Sequence, residues 1–84
     1  FEQSQKQVKG RIAQILLFFA KKIYHKDEFL LPLTRREVGE LLSITTENTI
    51  RTFSEFRKDG LIDIDGKVIH ILDKKRLEGI NVSG

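Results

Sequence analysis

The chain has 84 residues and a mass of 9.7 kDa, with no cysteine, no methionine and a single proline. This length accommodates one small domain, and the lack of cysteine excludes disulfides, a thiolate zinc site and a cysteine nucleophile. The net charge of +3 arises entirely in residues 1–28, which hold six basic and three acidic residues. Residues 29–84 are neutral overall, so charge alone favours a nucleic-acid partner only slightly. No apolar run approaches the length of a membrane span.

An amphipathic helix is predicted over about residues 6–24. Its apolar residues recur on one stripe: Val8, Ile12, Ile15, Leu16, Phe19 and Ile23. Gly10 weakens this helix near its start, where a bend is expected. After a polar loop at 24–28, the apolar run 29–33 contains Pro32, which indicates an edge strand.

Two further helices are predicted in close succession. The T-x-x-E sequence at 34–37 forms a capping box and begins a short helix over about 35–42. The next helix spans about 45–59, with Thr45 or Thr46 as its cap and a glycine directly after it. Two helices joined by so short a connection form a helix-turn-helix motif.

A β-hairpin is predicted directly after this motif. Isoleucines alternate with acidic residues before Asp65-Gly66, and an Asp-Gly pair in that setting is a strong hairpin signal. Asp73 caps a final short helix over 74–80, and residues 81–84 are expected to form a disordered tail. These elements predict an α+β fold, a winged helix-turn-helix with a helical core and a short β-hairpin wing.

Enzymatic and metal chemistry find no support in the sequence. His25 falls in a loop and His70 in the hairpin, and neither has a partner at the spacing of a metal site or catalytic triad. The glycine motifs of phosphate-binding loops and hydrolase nucleophiles do not occur. We therefore expect a protein that is not an enzyme, with no catalytic residue, no metal and no cofactor in these residues.

The second helix of the motif has two opposite faces. At about 100° per residue, an inward stripe is formed by Thr49, Phe53 and Phe56, and an outward strip by Glu47, Arg51, Ser54 and Lys58. In a helix-turn-helix the outward strip enters the major groove, where arginine pairs with guanine and glutamate accepts from cytosine. Glu47 and Arg51 lie one turn apart and are able to pair with each other, as on many solvated helices. Spacing alone therefore leaves both interpretations open.

Candidates for contact with a nucleic-acid backbone surround this strip. The basic ones are Arg35, Arg36, Lys58 and Lys67. The uncharged ones are Thr45, Thr46 and Asn48, which lie close to a helix N-terminus where backbone amides favour an anion. Taken singly, a residue of this kind is more often an ordinary surface position.

Three sequence blocks follow one another over about residues 8–72: G-R-I-A-Q-x-L-L, then L-T-R-x-E-x-G-x-L-L, then E-x-x-x-R with G-L-I and G-K-x-I. Together they resemble the C-terminal winged helix-turn-helix of the Crp/Fnr family, the cyclic-AMP receptor protein and fumarate-nitrate regulators of bacteria. The resemblance implies sequence-specific binding of double-stranded DNA, with the helix at about 45–59 in the major groove.

The resemblance also implies roles for individual residues. Base contacts are implied for Glu47 and Arg51, and for Thr46, which stands where some members carry a base-contacting arginine. Backbone contacts are implied for Arg35, Thr45, Asn48, Gly66 and Lys67. Two further positions depart from the family pattern: Ser43 replaces a glycine in the turn, and Ile50 replaces a glycine or small residue.

Family members carry an N-terminal β-barrel effector domain and a long dimerisation helix before this domain. The chain begins at Phe1 and lacks methionine, so we expect it to be part of a longer protein. Residues 1–7 are interpreted as the remnant of the linker or dimerisation segment, and residues 8–80 as the DNA-binding domain. The effector is not assigned.

The partners implied are a palindromic DNA operator, a second copy of the full-length protein and RNA polymerase, in the cytoplasm and without a membrane. An alternative remains, a winged-helix module that binds protein and not DNA. The neutral charge of residues 29–84 favours that alternative.

Overall fold

The computed structural model describes the backbone of residues 5–83 and the side chains of residues 7–80. The helices are α1 (Gln5–Phe18), a π-helix (Phe19–Tyr24), α2 (Arg35–Leu42), α3 (Thr46–Lys58) and α4 (Lys74–Ser83). The strands are β1 (Glu28–Leu30), β2 (Ile62–Asp65) and β3 (Val68–Ile71), and they form one antiparallel sheet in the order β1-β3-β2. Within the described residues, none of the helices has the length and apolar character required to cross a bilayer.

The helix predicted over 6–24 is divided into two elements. α1 is uninterrupted through Gly10, and the change comes after Phe18, where the chain enters a π-helix that ends at His25 in a left-handed conformation (φ 55°). The wider turn keeps Phe19 and Tyr24 in contact with Phe29, and the Tyr24 and Phe29 rings stack with centroids 5.5 Å apart. The prediction for Ile23 on the apolar stripe is wrong, because this side chain is 50% exposed and Tyr24 packs against the core in its place. The stripe was drawn with the residue spacing of an α-helix, which the wider turn of a π-helix does not keep.

Both predicted caps of the helix-turn-helix are present. The Thr34 hydroxyl accepts from the Glu37 amide at 3.1 Å, and the Glu37 carboxylate accepts from the Thr34 amide at 2.9 Å, so the capping box is confirmed. These hydrogen bonds, from the Thr34 backbone first and then its side chain, lower the pKa of Glu37. For α3 the cap is Thr45, whose hydroxyl accepts from the Asn48 amide at 3.1 Å.

The turn between α2 and α3 is tight enough to require a residue without a side chain. A Cβ on Gly39 would lie 2.6 Å from the Ile44 carbonyl oxygen and 3.0 Å from Thr49 Oγ1. Ser43 ends α2 in the left-handed region (φ 60°), a conformation that favours glycine. This conformation accounts for the glycine that the family resemblance implies at the position of Ser43.

The hairpin lies where predicted, but its turn is shifted by one residue. Asp65 pairs with Val68, so the two loop residues are Gly66 and Lys67 and not Asp65-Gly66. Gly66 has φ 61°, and Lys67 is not among the residues with positive φ. This is the pattern of a type II′ turn, which places glycine at the first loop position.

The apolar run at 29–33 does form an edge strand, shorter than predicted. β1 pairs only with β3, from Glu28 opposite His70 to Leu30 opposite Val68. The Leu31 amide still donates to the Lys67 carbonyl at 2.9 Å. Pro32 has no amide hydrogen and ends the ladder.

The core lies between α1, the inner faces of α2 and α3, the sheet and α4. α1 packs against α4 through residues that include Leu77, which is fully buried. α4 continues to Ser83, so residues 81–83 of the predicted disordered tail have helical backbone.

Candidate nucleic-acid interface

The inner face of α3 is completely buried. Its four residues are 0–1% exposed: Thr49, Thr52, Phe53 and Phe56. The inward stripe predicted from the sequence is therefore confirmed, and it excludes the two phenylalanines as stacking platforms for bases. Thr52 was missed by the stripe, and it brings a hydroxyl that has no hydrogen-bond partner in the described structure.

The outer strip of α3 is exposed. Its members are Glu47, Arg51, Ser54 and Lys58. Within residues 7–80, no hydrogen bond or ion pair engages these four side chains, so the anticipated pairing of Glu47 with Arg51 is not formed. No polar contact within the described residues therefore holds these four side chains in place.

Two charged residues of α3 do form ion pairs, and they lie on either side of the strip. Glu55 contacts Lys9 of α1 at 3.1 Å, and Arg57 contacts Asp63 of β2 at 3.5 Å. Taking about 100° per residue from Glu47, these two lie near +80° and −80°. We define the outer strip as the surface between them, where the charges of α3 are unpaired.

The basic residues predicted to contact a nucleic-acid backbone differ in their surroundings. The Arg35 guanidinium lies 4.1 Å above the centre of the Phe53 ring, and partial burial lowers the pKa of this arginine. Sequence spacing gave no signal of this contact, because it joins two helices. Arg36 and Lys67 are exposed, and in the described residues neither has an ion-pair partner.

The hairpin tip lies next to the start of α2. Arg35 and Lys67 border one surface pocket of about 110 Å³, together with residues 31–34. The backbone hydrogen bond from Leu31 to Lys67 fixes this approach. Two of the predicted cations thus border the same pocket at one edge of the helix-turn-helix.

The remaining predicted site residues lie at the N-terminus of α3 and at the hairpin tip. Thr46 is exposed at the first position of α3, and Asn48 is half-buried at the third. The Thr45 hydroxyl is engaged in capping but keeps its own hydrogen to donate. Gly66 is exposed at the hairpin tip.

The two histidines lie at separate places in the fold. His25 ends the π-helix, and His70 Nδ1 lies 3.0 Å from a Glu28 carboxylate oxygen across the paired strands β1 and β3. In the part of the chain that the structure describes, no three His, Asp or Glu side chains are grouped to hold a metal ion.

A three-stranded sheet, a capped helix-turn-helix and an exposed polar strip on its second helix define a winged helix-turn-helix DNA-binding domain. Residues 10–80 match the family described as the Crp-like helix-turn-helix domain. The chain belongs to this family of Crp/Fnr transcription regulators, as the sequence blocks indicated.

Proteins of known function agree with this assignment. The transcriptional activator protein FnrA of Stutzerimonas stutzeri is 34% identical over 74 residues, which are 83% of this chain and 30% of the relative. The fumarate and nitrate reduction regulatory protein of Salmonella typhimurium is 32% identical over 62 residues, 74% of this chain and 25% of the relative. The chain thus spans about a third or less of the length of these relatives. Both are named as regulators and not as enzymes.

A solved structure shows the same fold. DNR from Pseudomonas aeruginosa superposes with a TM-score of 0.78 at 30% identity, covering 90% of this chain and 34% of that one. The α+β winged helix-turn-helix architecture predicted from the sequence is confirmed by this superposition.

Proposed function

We propose that this domain binds a specific sequence of double-stranded DNA by placing α3 in the major groove. The observation that supports this most directly is the outer strip. Its charged and polar side chains are exposed and unpaired, whereas the neighbouring charges Glu55 and Arg57 are held in ion pairs. A winged domain inserts its second helix into DNA, and side chains on that helix that no partner engages are suited to base contact.

Three residues are proposed to contact bases. Arg51 has donors for guanine O6 and N7, and Glu47 accepts from the amino group of cytosine. Because no ion pair joins them in the described structure, neither has to break a contact before it binds a base. Thr46, exposed at the first position of α3, contributes a shorter hydroxyl contact.

Backbone contacts are proposed for residues around this strip: Arg35, Thr45, Asn48, Gly66 and Lys67. Arg35 and Lys67 share the border of one pocket, so a phosphate at that edge would meet two cations. At the start of α3, Thr45 and Asn48 lie beside backbone amides that favour an anion. In this mode of binding the described residues hold no cofactor.

The domain is proposed to act within a longer regulator in the cytoplasm. Two copies would present two α3 helices to a palindromic operator, with half-sites about one helical turn apart. We propose that the regulator activates transcription by contacting RNA polymerase, since relatives are named transcriptional activators.

The base-reading role is tested with two arginines of the same helix. An operator is first selected from random duplexes with the 84-residue chain, and dissociation constants are then measured by fluorescence anisotropy. Arg51→Ala is expected to cost about 1–3 kcal/mol and to relax discrimination at one base pair. Arg57→Ala, which removes an ion-paired arginine, serves as the matched control and is expected to retain the preference. An unchanged preference in Arg51→Ala would exclude the proposed base contact.

The backbone role of the hairpin tip has a different signature. Lys67→Ala is expected to weaken binding to selected and random duplexes by the same factor, because a phosphate contact has no sequence information. The slope of log Kd against log salt is expected to fall by about one. A loss restricted to the selected duplex would contradict the assignment.

A further inference from the structure

Ile50 is a large apolar side chain that folding leaves exposed on α3. Its exposed fraction is 49%. The inner face of the same helix consists of four other residues, all of them buried. The other large apolar residues that remain exposed in the described structure lie outside α3: Phe18, Ile23, Leu30, Leu41 and Leu72. The core therefore does not account for an isoleucine at this position.

The helix geometry places Ile50 on the outer strip. It follows Glu47 by three residues and precedes Ser54 by four, and residues at these spacings are neighbours on a helix surface. Ile50 is the fifth residue of α3, in the N-terminal part of a helix that approaches base edges. An alkyl group thus lies among the polar groups proposed to contact bases.

The chemistry of the side chain limits what it can recognise there. Isoleucine has no donor or acceptor, so it forms no hydrogen bond with a phosphate or with the polar atoms of a base edge. In the major groove, the apolar group that distinguishes one base from the others is the C5 methyl of thymine. Contact between the two removes apolar surface of both from water.

We propose that Ile50 determines sequence preference by packing against the methyl group of a thymine. The inference rests on the proposed function, because it requires α3 to lie in the major groove. It adds an apolar contact to the polar contacts assigned to Glu47 and Arg51. It also gives a role in specificity to Ile50, which departs from the glycine or small residue that the family resemblance implies.

The test removes a single methyl group from the DNA. In the selected operator, each thymine is replaced in turn by deoxyuridine, which keeps every hydrogen-bonding group and lacks only the methyl. Dissociation constants are measured at about 50 mM salt, where backbone contacts keep binding measurable. We expect one replacement to weaken binding by the native chain about fourfold, the effect of one buried methyl group.

Variants of Ile50 assign that effect to the side chain. Ile50→Ser is expected to bind the thymine and deoxyuridine duplexes equally at that position, whereas Ile50→Val, which keeps a branched alkyl group, retains most of the difference. Leu41→Ser is the matched control, since Leu41 is a similarly exposed apolar residue on α2 (65%). It is expected to keep the full methyl effect. Circular dichroism melting checks that each variant is folded.

The possible failures are distinguishable. If the native chain and Ile50→Ser respond equally to every deoxyuridine, or if the selected half-site contains no thymine, the methyl contact is excluded while DNA binding stands. If selection enriches no sequence at all, the proposed function fails and the inference fails with it.

Discussion

The two faces of α3 differ in burial and in the contacts of their side chains. The inner face consists of four residues that are 0–1% exposed, and their identity is dictated by packing against the rest of the domain. On the outer face, Glu47, Arg51 and Lys58 are exposed and unpaired within the described residues. Thirteen residues of one helix thus combine a buried surface that packs against the rest of the domain with an exposed surface whose polar side chains have no partner within the described residues.

The charges between these faces sharpen the comparison. Glu55 and Arg57 are as polar as the residues of the outer strip, yet they contact Lys9 and Asp63. Polarity alone therefore does not identify a binding surface. The candidate binding residues of α3 are the polar residues that have no partner, since the other charged residues of this helix form ion pairs.

The largest effect on the packed side is expected at Gly39. Its replacement by alanine places a Cβ 2.6 Å from a backbone carbonyl and 3.0 Å from Thr49 of the inner face, so α2 and α3 must move apart. We expect a loss of about 1–3 kcal/mol in the free energy of unfolding, measured by urea titration.

A second glycine provides the matched control for that substitution. Gly79 lies in α4, where an added Cβ would meet nothing within 4 Å. Gly79→Ala is expected to stabilise the domain by about 0.5–1 kcal/mol through helix propensity. Equal effects of the two substitutions would show that the close approach at Gly39 is not limiting.

A smaller effect on the free energy of unfolding is expected at Thr52, which lies on the inner face of α3. Thr52 buries a hydroxyl without a partner in the described structure, and a buried polar group of this kind costs free energy. Thr52→Val is expected to raise the free energy of unfolding by about 1 kcal/mol.

Thr49 is the control on the same face. Its hydroxyl donates to the Thr45 carbonyl at 2.9 Å, so Thr49→Val is expected to lower stability by about 0.5–1.5 kcal/mol. Stabilisation by both variants would mean that hydroxyls are unfavourable on this face whether or not they are bonded.

The smallest effect distinguishes the hydrogen-bonded carboxylate of Glu37 from the unpaired one of Glu47 on the outer strip. Hydrogen bonds from Thr34 lower the pKa of Glu37 below its ordinary value of 4.5. A lowered pKa in the folded state means that the stabilisation is present above pH 4.5 and is lost as pH falls through the folded-state value. Glu37→Gln is expected to be less stable than the native chain at neutral pH. The difference should disappear in acid, as measured by thermal melting; a difference that persists there would contradict the linkage.

Local signals in the sequence predicted much of this architecture. The capping box at Thr34 and Glu37, the inward stripe of Thr49, Phe53 and Phe56 and the hairpin position all follow from short-range patterns, and the structure confirms them. Such patterns succeed because caps, periodicity and turns depend on residues close in the chain.

Features that depend on distant residues or on small changes of backbone were not predictable. The contact of Arg35 with Phe53 joins two helices, and the ion pairs of Glu55 and Arg57 reach other elements. The π-helix at 19–24 and the one-residue shift of the hairpin turn alter hydrogen bonding without altering the apolar pattern. The roles of Glu47, Arg51, Thr46 and the backbone-contacting residues stay predictions.

The measurement that tests the central claim most directly is the ratio of two dissociation constants. The chain is titrated at about 50 mM salt with its selected duplex and with a scrambled duplex of the same composition. We expect both to bind, with the selected duplex bound at least about tenfold more tightly, as required when bases are read. Absence of binding to either duplex would contradict the account and favour a winged-helix module that binds protein.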